Sequence, residues 1–244
     1  MILSVIVPAY NEEKTIIKML EKLFMVKFEE KIDLEVLVVN DGSKDNTLKL
    51  LTKFAETNKN IKVLNNPVNI GKSRTVKRGI LESKGNFIVI QDADLEYDPK
   101  DINKLLQTCL KQNLNFVYGN RFGGSNKLIY KSFYIGNKGV TFISNIFTFP
   151  RFGKYIPDME VCYKLINGEI ARQIAKRLTA TSNFGFEPEI TAKLSRYKIN
   201  GKHLKFEVLP ITYLPRTIEE GKKIRWVDGL KALKEILKYN LLND

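Results

Sequence analysis

Three acidic side chains spaced two residues apart are the residues of this sequence best suited to chemistry. Asp92, Asp94 and Glu96 follow a short apolar run at 86–90. In an extended chain this spacing places the three carboxylates on one face, where their charges repel unless a cation, a proton or basic groups offset them. Hard carboxylate oxygens suit Mg²⁺ or Mn²⁺, and such ions are usually shared with substrate phosphates. The alternative is a solvated acidic turn that leads into the next helix.

The elements that must position these carboxylates are predicted from the hydrophobic periodicity of residues 1–125. Short β-rich runs alternate with amphipathic segments, which predicts an α/β fold with an open, mostly parallel, Rossmann-like sheet flanked by helices. Ligands of such sheets bind at the carboxyl ends of the strands. Asn11 is a candidate cap of the first helix. The predicted strands are 3–7, 34–39, 61–64, 87–90 and 116–118, and the predicted helices are 12–24, 44–57, 72–83 and 99–112.

Two further loops with unusual side chains follow the first and second predicted strands, at 8–12 and 40–43. The first is aromatic, polar and acidic, and could stack on and hydrogen-bond a base or ribose. In the second, Asp41 could accept hydrogen bonds from a nucleobase. Ordinary turn and helix-cap chemistry explains either loop alone. The segment 69–72 adds a glycine and a lysine that could lie near phosphate, but it lacks a full P-loop sequence.

Composition limits the class of protein. The chain has 244 residues, of which 43% are hydrophobic, and this suits one large domain with a well-buried core. No uncharged apolar stretch approaches the roughly 18 residues of a membrane-spanning helix, and no basic signal-peptide start is present, so we expect a cytoplasmic protein. Cys109 and Cys162 lack metal-ligand spacing and are expected to be ordinary thiols.

The positive charge is concentrated in the second half of the chain. The net charge is +13, and residues 126–244 carry 21 Lys and Arg against 11 Asp and Glu. A basic surface favours anionic partners such as nucleic acid, a membrane surface or a phosphorylated substrate. A nucleic-acid-binding module would not need an acidic triplet in a cleft, and no zinc or RNA-binding aromatic motif is present, so we predict no nucleic-acid partner.

The ordered set of motifs resembles the nucleotide-sugar-dependent glycosyltransferases of family 2, which have the GT-A fold, and especially their dolichol-phosphate mannosyltransferase-like branch. The resemblance covers nearly the entire chain. Its motifs are SVIVPAYNEE at 4–13, VVNDGSKD at 38–45, NIGK at 69–72, DADLE at 92–96, GNRF at 119–122, DMEVCYK at 158–164, GFEPE at 185–189 and RTIEEGKKI at 216–224.

This resemblance implies roles for particular residues. Glu96, which stands where the branch commonly has glutamine, would add a third anionic metal ligand to Asp92 and Asp94. The catalytic residues would be Asp94 and the phosphate-gripping cations Arg121, Arg216 and Lys222. The nucleotide-sugar-binding residues would be Pro8, Tyr10, Glu12, Val39, Asp41, Lys72, Asp92, Ala93 and Asp94.

The implied organisation is a GT-A-like catalytic domain at residues 1–215, followed by a basic loop and amphipathic helix at 216–244 that flank the site. The expected cofactor is Mg²⁺ or Mn²⁺. The expected reaction is inverting transfer of a hexose from a donor of the GDP-mannose or UDP-glucose type to a polyprenyl or dolichyl phosphate.

A phosphate acceptor is also favoured by the chemistry of the displacement. An alcohol acceptor needs a base, whereas a phosphomonoester carries about −1.5 to −2 charge at neutral pH and can attack unaided. Transfer to a saccharide hydroxyl stays open, with Asp158, Glu160, Glu187 and Glu189 as possible bases. A nucleotidyltransferase would begin with a Gly-rich basic signature that is absent here, and a non-catalytic nucleotide-sugar-binding scaffold is a remote alternative.

Two segments could approach a membrane that holds a lipid acceptor. Residues 131–149 and 226–242 have apolar side chains at helical spacing together with lysines that suit anionic head groups. A helix packed on the main domain predicts the same spacing. We therefore expect a protein on the cytoplasmic face of a membrane, bound to the anionic surface or to a membrane partner protein.

Overall fold

All five predicted strands are present in the computed structural model, which describes residues 1–124, 126, 130–182, 184–217 and 226–242. The predicted helices are also present, with small shifts at their ends. The strands are β1 (Ile2–Ala9), β2 (Asp33–Asp41), β3 (Ile61–Asn66), β4 (Phe87–Ile90), β5 (Phe116–Asn120), β6 (Lys164–Asn167), β7 (Lys198–Ile199), β8 (Lys202–His203) and β9 (Phe206–Pro210). The helices are α1 (Ile16–Phe24), α2 (Thr47–Thr57), α3 (Lys72–Glu82), α4 (Lys100–Lys111), α5 (Lys131–Phe152), α6 (Gly168–Lys176), α7 (Phe186–Arg196) and α8 (Trp226–Leu237), and α8 continues as a π-helical turn, Lys238–Leu242.

The central sheet has seven strands in the order β3-β2-β1-β4-β6-β5-β9. Its pairings are parallel except those that β6 makes with β4 and β5, which are antiparallel. The chain places β2 on one side of β1 and β4 on the other, so the order reverses at β1. Such a reversal opens a crevice at the carboxyl ends of the strands. The mostly parallel, single-domain α/β architecture agrees with the predicted fold class.

The first helix begins later than predicted because the loop before it is used for contacts with the second loop. Asn11 has a left-handed backbone with φ of 55°. Its side-chain oxygen accepts a hydrogen bond from the backbone N–H of Lys44 at 2.8 Å, and its own N–H donates to Ser43 Oγ at 3.0 Å. Asn11 therefore does not cap α1, whose cap residue is Thr15. It joins the loops that follow β1 and β2.

The core between the sheet and α3 depends on a glycine. A Cβ on Gly79 would clash with Ile6 Cγ2 and would press on Val39 Cγ2 at 3.3 Å. The missing side chain lets α3 pack closely on β1 and β2. Because α3 begins at Lys72, this packing also sets the position of the lysine at the carboxyl edge of the sheet.

Helix α5 has an inverted distribution of side chains. Its buried residues are the polar Thr141, Ser144, Asn145 and Thr148. These polar groups hydrogen-bond the segment that leads to β6: Asn145 pairs with both backbone groups of Ile156 at 2.8 and 2.9 Å, and Thr141 Oγ1 accepts from Met159 N at 3.1 Å. The solvent-facing apolar residues of α5 are Ile135, Phe142, Ile146 and Phe149.

Helix α8 packs beside α5 and α7 in the same unit. Arg196 of α7 donates to the carbonyl oxygens of Tyr239 at 2.9 Å and Asn240 at 2.7 Å, and Ser182 Oγ donates to Glu235 at 3.0 Å. Part of the predicted flanking segment 216–244 lies outside the described residues. Within the described ranges, no helix combines the length and the apolar character needed to cross a membrane.

Candidate active site

A cavity of about 1040 Å³ opens at the carboxyl ends of β1, β2, β4 and β5. Helix α5, the first turns of α3, α7 and α8, and the chain around Arg216 form its other walls. The structure therefore brings most of the predicted site residues to one place. The predicted residues that line this cavity are Pro8, Tyr10, Glu12, Asp41, Lys72, Asp92, Ala93, Asp94, Glu96, Arg121 and Arg216.

One predicted site residue among those that the structure describes, Val39, is absent from this lining, and a second, Lys222, is not described. Val39 is fully buried in the core beneath Gly79, because strand alternation turns its side chain to the sheet face that α3 covers. The predicted contact of its side chain with the nucleoside is therefore not supported. Lys222 lies outside the described residues, and its predicted role stays a prediction.

The acidic run after β4 is held by cations rather than by solvent. Lys72 Nζ lies 2.9 Å from Asp92 Oδ1 and 3.2 Å from Glu187 Oε1. Arg216 lies 2.8 Å from Asp94 Oδ2 through one guanidinium nitrogen and 3.0 Å from Glu96 Oε1 through Nε. The charges of Lys72 and Arg216 thus partly offset those of the three predicted carboxylates, Asp92, Asp94 and Glu96. This arrangement contradicts the alternative of a solvated acidic turn.

The predicted set of three carboxylate ligands is not formed. Within the described part of the chain, no group of three or more acidic, histidine or cysteine side chains is arranged to hold a metal. The Glu96 carboxylate accepts from Tyr213 OH as well as from the backbone and side chain of Arg216. Glu96 acts here as a support for Arg216.

The remaining pair, Asp92 and Asp94, fits a divalent cation by its chemistry. Both side chains present hard oxygens to the cavity, and Mg²⁺ typically takes one or two carboxylates from the protein and completes its shell with waters and phosphate oxygens. Burial, followed by the charges of Asp92 and Glu96, raises the pKa of Asp94 to about 7 although Arg216 opposes the shift. The raised pKa shows that Lys72 and Arg216 do not fully offset the negative charge of these carboxylates, and a bound cation would offset the remainder.

This raised pKa predicts that stability falls as pH rises. In the unfolded chain Asp94 ionises near its ordinary pKa of 3.8, whereas in the folded chain it keeps its proton to about pH 7. The folded state therefore binds more protons between these values, and its stability decreases across that window. We expect Asp94→Asn, which cannot ionise, to gain stability over the wild type as pH rises from 4 to 7. Urea unfolding of both proteins without metal measures this, and parallel pH curves would contradict it.

Asp41 is predicted to contact the nucleoside, and in the structure its carboxylate also accepts hydrogen bonds from the protein. Its oxygens accept hydrogen bonds from the backbone N–H groups of Ile70 at 2.9 Å and Gly71 at 3.0 Å, and from Asn66 at 2.9 Å. The carboxylate thus holds the segment before α3 in place and thereby helps to orient Lys72. It also reaches the cavity wall, so nucleoside contact stays a prediction.

Arg121 is predicted to grip phosphate, but its guanidinium is already committed to a buried ion pair. Its Nε donates to one oxygen of Asp158 at 2.8 Å, and a terminal nitrogen donates to the other oxygen at 2.8 Å. Its backbone N–H donates to the same carboxylate at 3.0 Å. The Asp158 side chain is fully buried. Bidentate pairs of this kind hold side chains in one orientation. Arg121 therefore joins the end of β5 to the segment before β6.

Breaking this pair is expected to destabilise the fold strongly. In Arg121→Met the buried Asp158 carboxylate loses its partner, and such a loss typically costs about 3–5 kcal/mol. Replacing both residues, as Arg121→Met with Asp158→Leu, removes the uncompensated charge and should recover most of that loss. Urea unfolding of the wild type, the single variant and the double variant measures the effect. A single variant within about 1 kcal/mol of the wild type would contradict a structural role for the pair.

The four carboxylates proposed as bases separate into two groups. Asp158 is paired with Arg121, and Glu189 accepts from the backbone N–H groups of Thr179 and Ala180 at 2.7 to 3.0 Å. Neither of these two lines the cavity. Glu187 and Glu160 do line it. Only the latter two are therefore placed to receive a proton from an acceptor hydroxyl.

Tyr97 and Tyr213 are site residues that the sequence motifs did not identify. Both line the cavity, their rings lie 5.2 Å apart, and Arg121 stacks over the Tyr213 ring at 5.3 Å. The two residues also form an isolated antiparallel bridge that brings the chain near Arg216 to the acidic run. No spacing rule marks this contact, because more than a hundred residues separate its partners. Position directly after the acidic run was the one available signal for Tyr97.

Comparison with known proteins shows similarity along most of the chain. A sequence model of the family described as Glycosyl transferase family 2 matches residues 4–170. A dolichyl-phosphate beta-glucosyltransferase of Dictyostelium discoideum is 34% identical over 199 residues, which is 77% of this chain and 60% of that protein. A second protein of that name from Trichomonas vaginalis is 40% identical over 131 residues, 49% of this chain and 40% of that protein. The chain thus spans about half the length of these relatives.

Solved structures are similar in fold at low sequence identity. Glucosyl-3-phosphoglycerate synthase from Mycobacterium tuberculosis, in complex with Mn²⁺, UDP and glucosyl-3-phosphoglycerate, has a TM-score of 0.66 and 16% identity, and the match covers 99% of this chain and 81% of that chain. TarS 1–349 of S. aureus has a TM-score of 0.60 and 18% identity, covering 98% of this chain and 71% of that chain. At these identities the likeness concerns the architecture alone.

Proposed function

Since the chain belongs to glycosyl transferase family 2 and has the GT-A fold, we propose that it transfers a hexose from a nucleoside diphosphate sugar to a polyprenyl phosphate such as dolichyl phosphate. The single observation that carries this proposal is the lining of the cavity. It combines the carboxylate pair Asp92 and Asp94 with the cations Lys72 and Arg216 at 2.8 to 2.9 Å. A metal-bound diphosphate requires both kinds of group.

The choice of acceptor and donor rests on the relatives. Two similar proteins are named dolichyl-phosphate beta-glucosyltransferases, and a neighbour of the same fold was solved with UDP. These names favour UDP-glucose over GDP-mannose as the donor.

The reaction we propose is a displacement with inversion at the anomeric carbon. An oxygen of the acceptor phosphate attacks that carbon, the bond to the nucleoside diphosphate breaks, and the diphosphate leaves with the electron pair. A divalent cation held by Asp92 and Asp94 would offset charge on the leaving group. Lys72 and Arg216 donate N–H groups at the same wall of the cavity and stabilise the same charge. A phosphate acceptor supplies its own nucleophilic oxygen and needs no base.

Transfer to a saccharide hydroxyl is a second candidate because Glu187 and Glu160 line the cavity. The direct test combines the purified protein and Mn²⁺ with UDP-glucose or GDP-mannose, and then with a short polyprenyl phosphate or a saccharide acceptor. Sugar transfer to the lipid phosphate is expected. Transfer to the saccharide alone would overturn the acceptor assignment, and absence of donor binding with either nucleotide would overturn the proposal.

The inverted helix α5 supports approach to a membrane that contains the lipid. Polar side chains of α5 make hydrogen bonds to the segment 156–159. On the opposite side of the helix, Phe142 and Ile146 are 59% and 56% exposed. Helix α8, packed beside it, also exposes Leu230 and Leu237. A buried core helix would place its apolar side inward, so this observation favours the membrane over that alternative. We propose that these two helices rest on an anionic membrane surface beside the cavity.

Substitution on the exposed face of α5 should weaken membrane binding without unfolding the protein. We expect Phe142→Glu with Ile146→Glu to reduce binding to vesicles of anionic phospholipid at least about tenfold, since two apolar side chains no longer enter the interface. Sedimentation with vesicles at low and high salt measures this. Met25→Glu, at an exposed apolar residue after α1, is the matched control and should bind as the wild type does. Equal loss in both variants would indicate a general charge effect.

A further inference from the structure

The charged end of Lys72 is held by a carboxylate from the second half of the chain. Lys72 is the first residue of α3, and the hydrogen bonds of Asp41 and the close packing at Gly79 fix the backbone from which it extends. Its Nζ atom lies 3.2 Å from Glu187 Oε1 as well as 2.9 Å from Asp92 Oδ1. A lysine has a flexible four-carbon stem, so the position of its charge depends on such contacts.

Glu187 lies in the first turn of α7, but its side chain is not placed as an ordinary acid at a helix end. The helix dipole favours an acidic side chain in a first turn, and such a side chain can stay in solvent, as the exposed Glu169 does in α6. The Glu187 side chain is instead only 7% exposed, and it lines the cavity. Burying a carboxylate costs free energy unless a partner offsets its charge. The ion pair with Lys72 supplies that offset.

The backbone that carries Glu187 is anchored on the sheet. Its carbonyl oxygen accepts a hydrogen bond from Thr191 Oγ1 at 2.7 Å, and the Thr191 hydroxyl is also hydrogen-bonded to Tyr118 OH of β5 at 2.7 Å. Residues 186–196 form one helix, so these contacts fix the first turn of α7 against β5. The Glu187 carboxylate therefore reaches Lys72 from a rigid element.

We propose that Glu187 is a positioning residue that holds the Lys72 ammonium toward the donor diphosphate when Asp92 binds the divalent cation. This inference rests on the function proposed above. With that cation bound, the contact of Lys72 with Asp92 is weakened, because two positive charges repel each other and compete for one carboxylate. Glu187 is not one of the two proposed metal ligands. Its contact with Lys72 is therefore the one that keeps the ammonium in place.

This role differs from the two other roles that a carboxylate in this wall could have. A base for a saccharide hydroxyl acts on the acceptor, so its loss leaves nucleotide binding unchanged. A carboxylate that only adds negative charge repels the phosphates, so its loss tightens nucleotide binding. A positioning residue acts through Lys72, and its loss weakens binding of the nucleoside diphosphate with no acceptor present. Nucleotide binding without acceptor therefore distinguishes the three roles.

The test is a double-variant comparison of nucleotide binding. Calorimetry with and without Mn²⁺ measures the affinities for UDP and uridine, or for GDP and guanosine if GDP is the nucleotide that binds. With Mn²⁺ we expect Glu187→Ala to weaken UDP binding about tenfold and uridine binding less than about twofold. Without Mn²⁺ the loss for UDP should be smaller, because Asp92 still holds Lys72.

The second arm of the comparison tests whether Glu187 acts through Lys72. Lys72→Ala should weaken UDP binding at least as much as Glu187→Ala does, because it removes the ammonium itself. Adding Glu187→Ala to Lys72→Ala should change the UDP affinity by less than about twofold, since the group that Glu187 positions is already absent.

Further variants separate positioning from a structural role. Glu187→Gln keeps the shape and an acceptor oxygen without the charge, and it should lose less UDP affinity than Glu187→Ala does. It carries the test, alone and with Lys72→Ala, if urea unfolding shows that Glu187→Ala does not fold. Glu169→Ala also removes an acidic side chain from the first turn of a helix. It is the matched control and should bind UDP as the wild type does.

Three results would overturn the inference: unchanged or tighter UDP binding in Glu187→Ala, an equal loss for uridine, or losses that multiply when Glu187→Ala and Lys72→Ala are combined. Nucleotide binding without transfer to the lipid phosphate would contradict the proposed acceptor only and leave the Glu187 inference intact. Absence of binding by both UDP and GDP would overturn the proposed function and this inference with it.

Discussion

Asp92→Ala and Asp94→Ala are each expected to lower hexosyl transfer about a thousandfold or more while leaving the protein folded. The two carboxylates are the hard-oxygen pair of the cavity, and Asp92 also positions Lys72 through the contact of 2.9 Å. Losing either group removes a proposed metal ligand and misplaces a cation at the diphosphate. Asp94→Ala also removes a carboxyl whose ionised form is disfavoured by burial and by the charges of Asp92 and Glu96, so we expect little loss of stability from that change.

The measurements are turnover, Mn²⁺-dependent binding of the nucleoside diphosphate sugar, and urea unfolding. Asp98→Asn is the matched control, because this carboxylate belongs to the same segment but only accepts from the backbone N–H of Lys100 at 3.0 Å. It should retain transfer. Transfer rates close to the wild type in both alanine variants would remove the basis of the proposed function.

Arg216→Ala is expected to reduce transfer about a hundredfold, chiefly through the diphosphate. The guanidinium contacts Asp94 at 2.8 Å and Glu96 at 3.0 Å, so its loss leaves two neighbouring carboxylates without their cation. Two effects follow. The leaving group loses a donor, and the pKa of Asp94 rises further because the charge of Arg216 lowers it more than the hydrogen bond from the Glu96 backbone N–H does. We therefore expect the variant to need a higher pH, as well as more Mn²⁺, for half-maximal donor binding.

Comparison of ligands isolates this effect. Affinity for the free nucleoside should change less than twofold, and affinity for the nucleoside diphosphate should fall, since only the latter carries the charge that Arg216 meets. Arg216→Lys tests geometry, because a single ammonium cannot span both carboxylates as the planar guanidinium does. A variant that altered only the preference between uracil and guanine would place this residue at the nucleoside instead.

The fold of the first half was predictable because its signals are local. Each predicted strand from 3–7 to 116–118 lies inside an observed one, since short apolar runs between turn residues leave few alternatives. The start of α1 was predicted four residues early. Asn11 has the chemistry of a helix cap, but a tertiary contact with Ser43 and Lys44 uses it. A side chain with two possible partners cannot be assigned from its neighbours in sequence.

Most residues predicted for the site line one cavity, but the sequence did not predict which side chains pair with them. Motif order brought the acidic run and the two loops to the same edge, which follows from parallel strands. The expected roles changed where distant segments meet. Glu96 is turned to Tyr213 and Arg216, and Arg121 is closed onto Asp158. These pairings depend on residues 37 to 120 positions apart, for which sequence spacing carries no information.

Sequence alone therefore determined the family, the α/β alternation and the residues at the carboxyl edge of the sheet. These features depend on strand periodicity and loop chemistry, and both are set by residues that are close together in the chain. Tertiary structure decided the partners of each charge, including the contact of Lys72 with Glu187, and the inward turn of the polar side of α5. The physical reason is burial. A carboxylate or an amide has the same chemistry in any sequence, but its partner, its pKa and its cost depend on which groups the fold places against it once water is excluded.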